Sequence, residues 1–332
     1  MAKAWLDDAL ACLEGSPVCG YRAGGLPACE PTALAALALH RGGRAGQQAK
    51  ALDWLADLQQ GDGSVGIDGA NPTPCWPTGW ALLAWRAAIS TSQAAVATSS
   101  SQEPALAPAL SMGERGNGPN PRWANAAQRA AHWILALEGR THPRSSLFGH
   151  DTTLRAWPWV EHTHSWVEPT AINLLALKAS GQSAHPRCRE AVAMLLDRMC
   201  AGGGWNYGNT KVLGAALRPQ VQPTGLALAA LAGEPAAERH VARSLAYLER
   251  SLSEQTTTAS LCFGLMGLSC HGRRPKRAEA WLEAACHRVL RHDASPYPLA
   301  LIALAACQRG GLVASEPLAA QPPPGAAHEE RP

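Results

Sequence analysis

The chain has 332 residues, 46% of them hydrophobic, and a formal net charge of +3, so it holds enough apolar material for one large core or two ordinary ones. So small a charge excess gives no argument for nucleic acid, and no basic run alternates with aromatics as a single-strand groove would require. The start, "MAKAWLDDALACLEG", is unlike a signal or transit peptide, and no stretch of about 18 uncharged apolar residues occurs, so no transmembrane helix is expected.

Peripheral membrane contact stays open. Ten cysteines are scattered without a Cys-x-x-Cys pair, the pattern of reduced thiols in a cytoplasmic protein. Twelve tryptophans against four tyrosines and two phenylalanines are more than core filling needs, and they suit a cavity wall.

Taken in chain order, the predicted elements alternate. "AWLDDALACLEG" (4–15) is amphipathic and leads to the apolar "EPTALAALAL" (30–39). "QAKALDWLADLQQG" (48–61) leads to "WPTGWALLAW" (76–85), and "AAQRAAHWILALEG" (126–139) to "EPTAINLLAL" (168–177). "REAVAMLLDRMCAGG" (189–203) leads to "QPTGLALAAL" (222–231). Two weaker copies follow, "RHVARSLAYLERSL" (239–252) before "TTTASLCFGLMGL" (256–268) and "AEAWLEAACHRVLRH" (278–292) before "SPYPLALIALAAC" (295–307). The unit is a polar-faced helix, a Gly-rich loop and a nearly all-apolar helix, six times over.

Proline at the first helical position costs nothing, because that amide has no intrahelical partner. Pro31 and Pro77 are 46 residues apart, but Pro77 and Pro169 are 92 apart. The doubled interval holds a Ser-, Ala-, Pro- and Gly-rich stretch, 90–122, read as a disordered insertion; the tail 312–332 is read the same way.

Six apolar helices must be shielded by six amphipathic ones. An open solenoid would need polar terminal caps, and neither end supplies one. The fold class expected is therefore all-α, an α/α toroid of about six hairpins over residues 1–311, with an inner ring of apolar helices inside an outer ring.

"WLADLQQGDGSV" (54–65) carries Trp54, Leu55, Gln59 and Gly63 in the spacing of the QW motif, with Val65 in the place of its tryptophan. "LLDRMCAGGGWNYG" (195–208) keeps Gly203 and Trp205, with Cys200 for the glutamine. The chain thus resembles the squalene–hopene cyclase and protein prenyltransferase β-subunit superfamily over roughly residues 1–310. "LCFGLMGLS" (261–269) is similar to a late inner helix of the prenyltransferases.

What the resemblance implies is a central cavity for an isoprenoid or similar hydrophobic molecule. The Asp-x-Asp-Asp acid of the cyclases has no counterpart here. Ser260 stands where the prenyltransferases place a zinc-binding histidine, and "QPTG" (222–225) where their other ligands fall. No metal and no cofactor are expected, and any cyclase acid must come from another residue.

Glu30 and Glu168 precede Pro-Thr in equivalent repeats. They are either carboxylates favoured by the helix dipole or, against tryptophan walls, protonated general acids. "HTHSWVE" (162–168) adds His162 and His164, which could ligate a metal, bond loop carbonyls or tune Glu168. Asp151 is a candidate partner carboxylate with Arg155 as its counter-ion, and Tyr207 a candidate proton relay. Trp76, Trp80, Trp157, Trp159, Trp166 and Trp205 would bind substrate, their π faces stabilising a carbocation or lining a dry pocket.

The leading expectation is a protonation-initiated terpenoid cyclase-like protein. A zinc-independent prenyl transferase and a non-catalytic lipid-binding scaffold are the alternatives. A single ring is about half a triterpene cyclase, which leaves room for a smaller substrate or a partner subunit.

Overall fold

The computed structural model describes residues 3–73, 75–99, 120–145 and 147–307, with the side chains of 91–99 left out. The protein is all-α. Among the described residues twelve α-helices account for nearly all of the regular structure, and the exceptions are a 3-10 turn at Pro235–Ala237 and a two-residue antiparallel hairpin, β1 (Lys211–Val212) with β2 (Ala215–Ala216). Among the described residues no helix is long and apolar enough to cross a membrane.

The helices fall into two sets. The amphipathic set is α1 (Ala4–Gly15), α3 (Ala45–Leu58), α5 (Pro121–Ala136), α7 (Pro186–Asp197), α9 (Glu238–Ser251) and α11 (Ala278–His292). In α9 the buried residues are Val241, Ser244, Leu245 and Leu248, spaced as one stripe of a helix whose other faces meet water. The apolar set is α2 (Cys29–Arg41), α4 (Thr78–Ser99), α6 (Val167–Ala179), α8 (Val221–Leu231), α10 (Thr258–Ser269) and α12 (Pro296–Cys307). In α2 every residue from Pro31 to Leu39 is buried.

The apolar helices contact one another in order. α2 packs on α4, α4 on α6, α6 on α8, α8 on α10 and α10 on α12, and α12 packs on α2. The amphipathic helices cover them, and α1 touches α12, α11 and α2. The tightest approach, α8 on α10, runs through glycines: a Cβ on Gly225 would lie 2.2 Å from the Phe263 carbonyl oxygen, and one on Gly267 would lie 2.5 Å from that of Gly225.

Two boundaries differ from the sequence reading. α4 continues to Ser99 through an alanine-rich segment assigned to the insertion. Pro121 and Arg122 open α5, where the Asn120 side chain accepts from the Arg122 N–H at 3.0 Å as an N-cap. Residues 100–119, and the tail expected to be disordered, lie outside the described residues.

Candidate functional site

The repeated Pro-Thr is a fastening. α2, α6 and α8 start two residues before their proline, so proline occupies the third helical position, still among the amides without a partner. Threonine is the first to bond: Thr32 N–H reaches Ala28 O at 3.1 Å, Thr170 reaches Trp166 and Thr224 reaches Gln220. Each threonine hydroxyl then accepts a backbone N–H from the loop ahead of it. Cys19 donates to Thr32 (3.1 Å), Trp157 to Thr170 (3.3 Å) and Trp205 to Thr224 (2.9 Å), and in α4 Val65 donates to the equivalent Thr78 (2.9 Å). These four loop residues are structural equivalents, and Val65 and Trp205 are the positions where the QW tryptophan falls.

Trp157 and Trp205 therefore serve differently from the substrate wall expected of them. Both are fully buried, and their indole N–H groups donate to outer-helix carbonyls, Trp157 to Ile134 (2.8 Å) and Trp205 to Leu195 (2.6 Å). The Arg187 guanidinium of α7 lies 4.7 Å over the Trp157 ring and donates to Leu137 O at 2.7 Å, tying one hairpin to the next. Gln59 does related work, donating to Gly63 O and Ala126 O, each at 2.9 Å.

Trp80 is also sealed from water. Its ring faces Phe263 with centroids 6.2 Å apart, and its N–H has no partner. It sits in the first turn of α4, but as part of the buried core. Trp76 and Trp159 meet edge to face at 5.1 Å, both half-buried, and Trp166 is the half-buried N-cap residue of α6. These three remain at the helix starts.

The chemistry gathers where α2, α6, α8 and α12 begin. Glu30, half-buried at the second position of α2, accepts a 2.6 Å hydrogen bond from the Tyr21 hydroxyl. Glu168, buried at the second position of α6, meets the Gln222 side chain of α8, and its Oε1 has no partner. Tyr297 of α12 stacks obliquely on Tyr21, centroids 5.2 Å apart, and feels the charge of both glutamates.

Burial raises the Glu30 carboxyl to about 7, opposed by the Tyr21 hydrogen bond and aided by the charge of Glu168. Burial likewise raises Glu168 to about 7, with Gln222 opposing. A helix N-terminus ordinarily stabilises a carboxylate by about 0.3–1 kcal/mol; desolvation is the larger effect here and wins. The two acids thus hold protons near neutrality, and Tyr297 is pushed up by burial and by both carboxylates.

The remaining candidates are not brought to this cluster. Asp151 forms an ion pair with Arg144 and accepts from Thr153 N–H (3.0 Å) and hydroxyl (2.7 Å), which holds its carboxyl well below the usual range. It is a fixed loop anion, and it cannot deliver a proton near neutrality. Arg155 pairs with Glu138 (2.6 Å) and Glu190 (2.7 Å), and Asp151 has Arg144 instead. His162 and His164 are exposed while Glu168 is buried, and the His164 ring lies against His142 at 4.9 Å. Tyr207 is 49% exposed, and its role here is a backbone one: its carbonyl accepts from Val167 N–H at 3.0 Å.

All ten cysteines are free thiols, and among the described residues no three metal-binding side chains converge. Tyr21, Tyr297 and Gln222 were missed by sequence reasoning. Gln222 had a signal, since it fills the position of Glu30 and Glu168 in its repeat; Tyr21 lies in a loop with no repeat to align it.

No protein-family model matches this chain, and no curated protein matches it in sequence. In three dimensions it is similar to the crystal structure of a protein from Actinoplanes, with a TM-score of 0.50 and 17% sequence identity over 87% of this chain and 80% of that one. At that identity the likeness concerns the fold alone.

Proposed function

We propose that the protein is an α/α toroid resembling the squalene–hopene cyclase and prenyltransferase superfamily, and that it takes an isoprenoid or similarly apolar molecule at the mouth formed by its inner-helix starts. The cyclic order of contacts from α2 through α12 and back to α2 supports the ring. One observation carries the site: Glu30 and Glu168, from two different inner helices, are both desolvated enough to be protonated near pH 7, and Oε1 of Glu168 has no partner.

In this reading Glu168 is the general acid. Its carboxyl proton passes to an alkene carbon or ether oxygen, the cation formed lies against Tyr297, Trp76 and Trp159, and the carboxylate takes a proton back when the product alkene forms. Tyr21 holds Glu30 in place at 2.6 Å. Delivery from a bilayer surface suits such a substrate. Leu147 and Leu213 are 78% and 99% exposed on loops that lead into α6 and α8, joined by the Thr210 hydroxyl bond to Gly149 O at 2.7 Å.

A specific observation favours a second reading, binding without turnover. Trp80 and Phe263 meet across the interior, so the space beyond the mouth is filled at their level. A carboxyl raised to about 7 is protonated but weakly acidic, which demands more cation stabilisation from the walls. Incubation with squalene and a panel of isoprenyl diphosphates, followed by product analysis and native mass spectrometry, separates the two. Turnover that disappears in Glu168→Gln supports the enzyme; lipid retained without product supports the carrier; neither turnover nor retention removes the proposal.

A further inference from the structure

The exposed apolar side chains are unevenly placed. Among the described residues the large ones all lie in stretches that lead into apolar helices: 16–28 before α2, 137–166 before α6 and 198–220 before α8. The stretches that lead out of apolar helices, 42–44, 180–185, 232–234 and 270–277, carry none of them. Two of the apolar stretches are joined. The Thr210 hydroxyl donates to Gly149 O at 2.7 Å, and a Cβ on Gly149 would lie 2.6 Å from the Lys211 Cβ, so Leu147 and Phe148 stand beside the β1–β2 hairpin. That hairpin reads "KVLGAALR" (211–218). Its turn residues Leu213 and Gly214 both have positive φ, 48° and 81°, a conformation that asparagine or glycine ordinarily supplies. The leucine at this apex is 99% exposed and contributes no burial to its own fold. Lys211 precedes the apolar tip, Arg218 follows Leu217, and no carboxylate falls between them. Nearby, Arg144 is taken by Asp151, and Arg155 by Glu138 and Glu190. Arg140, Lys211 and Arg218 are exposed and make no ion pair among the described residues; Glu161, also exposed, is the carboxylate that opposes them.

We propose that this face docks on a bilayer carrying anionic phospholipid, with the 211–218 hairpin, Leu147 and Phe148 entering the interface. The apolar side chains pass below the headgroups, while Lys211 and Arg218, at the two ends of the hairpin, stay at the level of the phosphates. Each cation adds an attraction to the anionic surface that salt screens. A bilayer suits this shape better than a folded partner does. An apex leucine that its own chain leaves uncovered needs a medium that closes round it, and acyl chains do so without a matching rigid surface. Such docking names the surface from which an apolar molecule reaches the Glu30 and Glu168 end in the reading above. It needs no isoprenoid, so its failure and a failure of turnover are distinguishable.

The test is co-sedimentation of the full chain with isoprenoid-free vesicles, of phosphatidylcholine alone and of phosphatidylcholine mixed with phosphatidylglycerol. Expected is binding to the mixed vesicles that falls as salt rises, with binding to phosphatidylcholine alone weaker by about tenfold. Leu213→Asn suits the positive φ and removes the apex. It should keep or raise the melting temperature and weaken vesicle binding by about tenfold. The Lys211→Gln, Arg218→Gln double variant should weaken binding to mixed vesicles by about tenfold and leave binding to phosphatidylcholine unchanged. Lys276→Gln, which removes an exposed cation from the stretch 270–277, should bind as the wild type does. Absence of binding to either vesicle overturns the inference and turns these loops over to a protein partner. Equal binding to both vesicles, or a Leu213→Asn variant that binds as tightly as the wild type, overturns it as well.

Discussion

Trp80 of α4 and Phe263 of α10 meet with ring centroids 6.2 Å apart and both side chains closed to water, although α4 and α10 stand three places apart in the order of helix contacts. Two helices that are not neighbours in that order thus touch through their aromatic rings. Both rings belong to the continuous buried core of the described residues.

Truncating one partner tests whether this contact is packed core. Phe263→Ala should cost about 3–5 kcal/mol in urea denaturation and leave an apolar hole that takes up benzene. A loss below about 1 kcal/mol would mean that Phe263 faces an already open space.

Close approach of α8 and α10 gives a second, sign-reversed test. In an isolated helix, glycine to alanine gains about 1 kcal/mol. At Gly225 the new methyl would lie 2.2 Å from a backbone oxygen, which no rotamer change relieves. Gly225→Ala should therefore destabilise the protein by about 3 kcal/mol, read from the denaturation midpoint. A stabilised variant would show that the helices can separate freely.

The threonine fastenings differ in length, so they should differ in worth. Thr224 is within 2.9 and 3.0 Å of the Trp205 N–H and carbonyl, Thr170 within 3.3 and 3.4 Å of those of Trp157. Valine keeps the shape and leaves the loop amide unpaired. Thr224→Val should cost about 1–3 kcal/mol, with Thr170→Val costing less. Equal losses in thermal or urea unfolding would contradict that ordering.

Helix periodicity made the twelve elements legible, because six apolar and six striped segments alternate with Pro-Thr marking four of the starts. The insertion boundary was not, since "STSQAAVATS" has the composition of a linker yet enough alanine to prolong α4. Glu30 and Glu168 could be paired from the repeats alone. The tryptophans could not be sorted, because the use of an indole depends on where its N–H points: Trp157 and Trp205 aim at outer-helix carbonyls, and Trp80 points inward. Asp151 read as a catalyst because its partner, Arg144, lies in an irregular loop whose course no periodicity reveals.

Glu30 and Glu168 should leave a signature in the pH dependence of stability. A glutamate in the unfolded chain titrates near 4.3, whereas both are raised to about 7 by burial in the folded protein. The folded state binds these protons more tightly, so their contribution is fully present below about pH 4.3 and is lost as pH rises through about 7. Each group can withdraw up to about 4 kcal/mol on full ionisation. Glutamine cannot ionise. Glu30→Gln and Glu168→Gln should match the wild type near pH 4.5 and exceed its stability by about 1–3 kcal/mol at pH 8, compared by urea denaturation at both values. The tyrosine bond favours the ionised form of Glu30, so Tyr21→Phe should widen its window upward, with the Glu30→Gln advantage growing at pH 8. A stability difference that stays constant from pH 4.5 to 8 would place both carboxyls in water, ionised, and leave neither able to act as an acid.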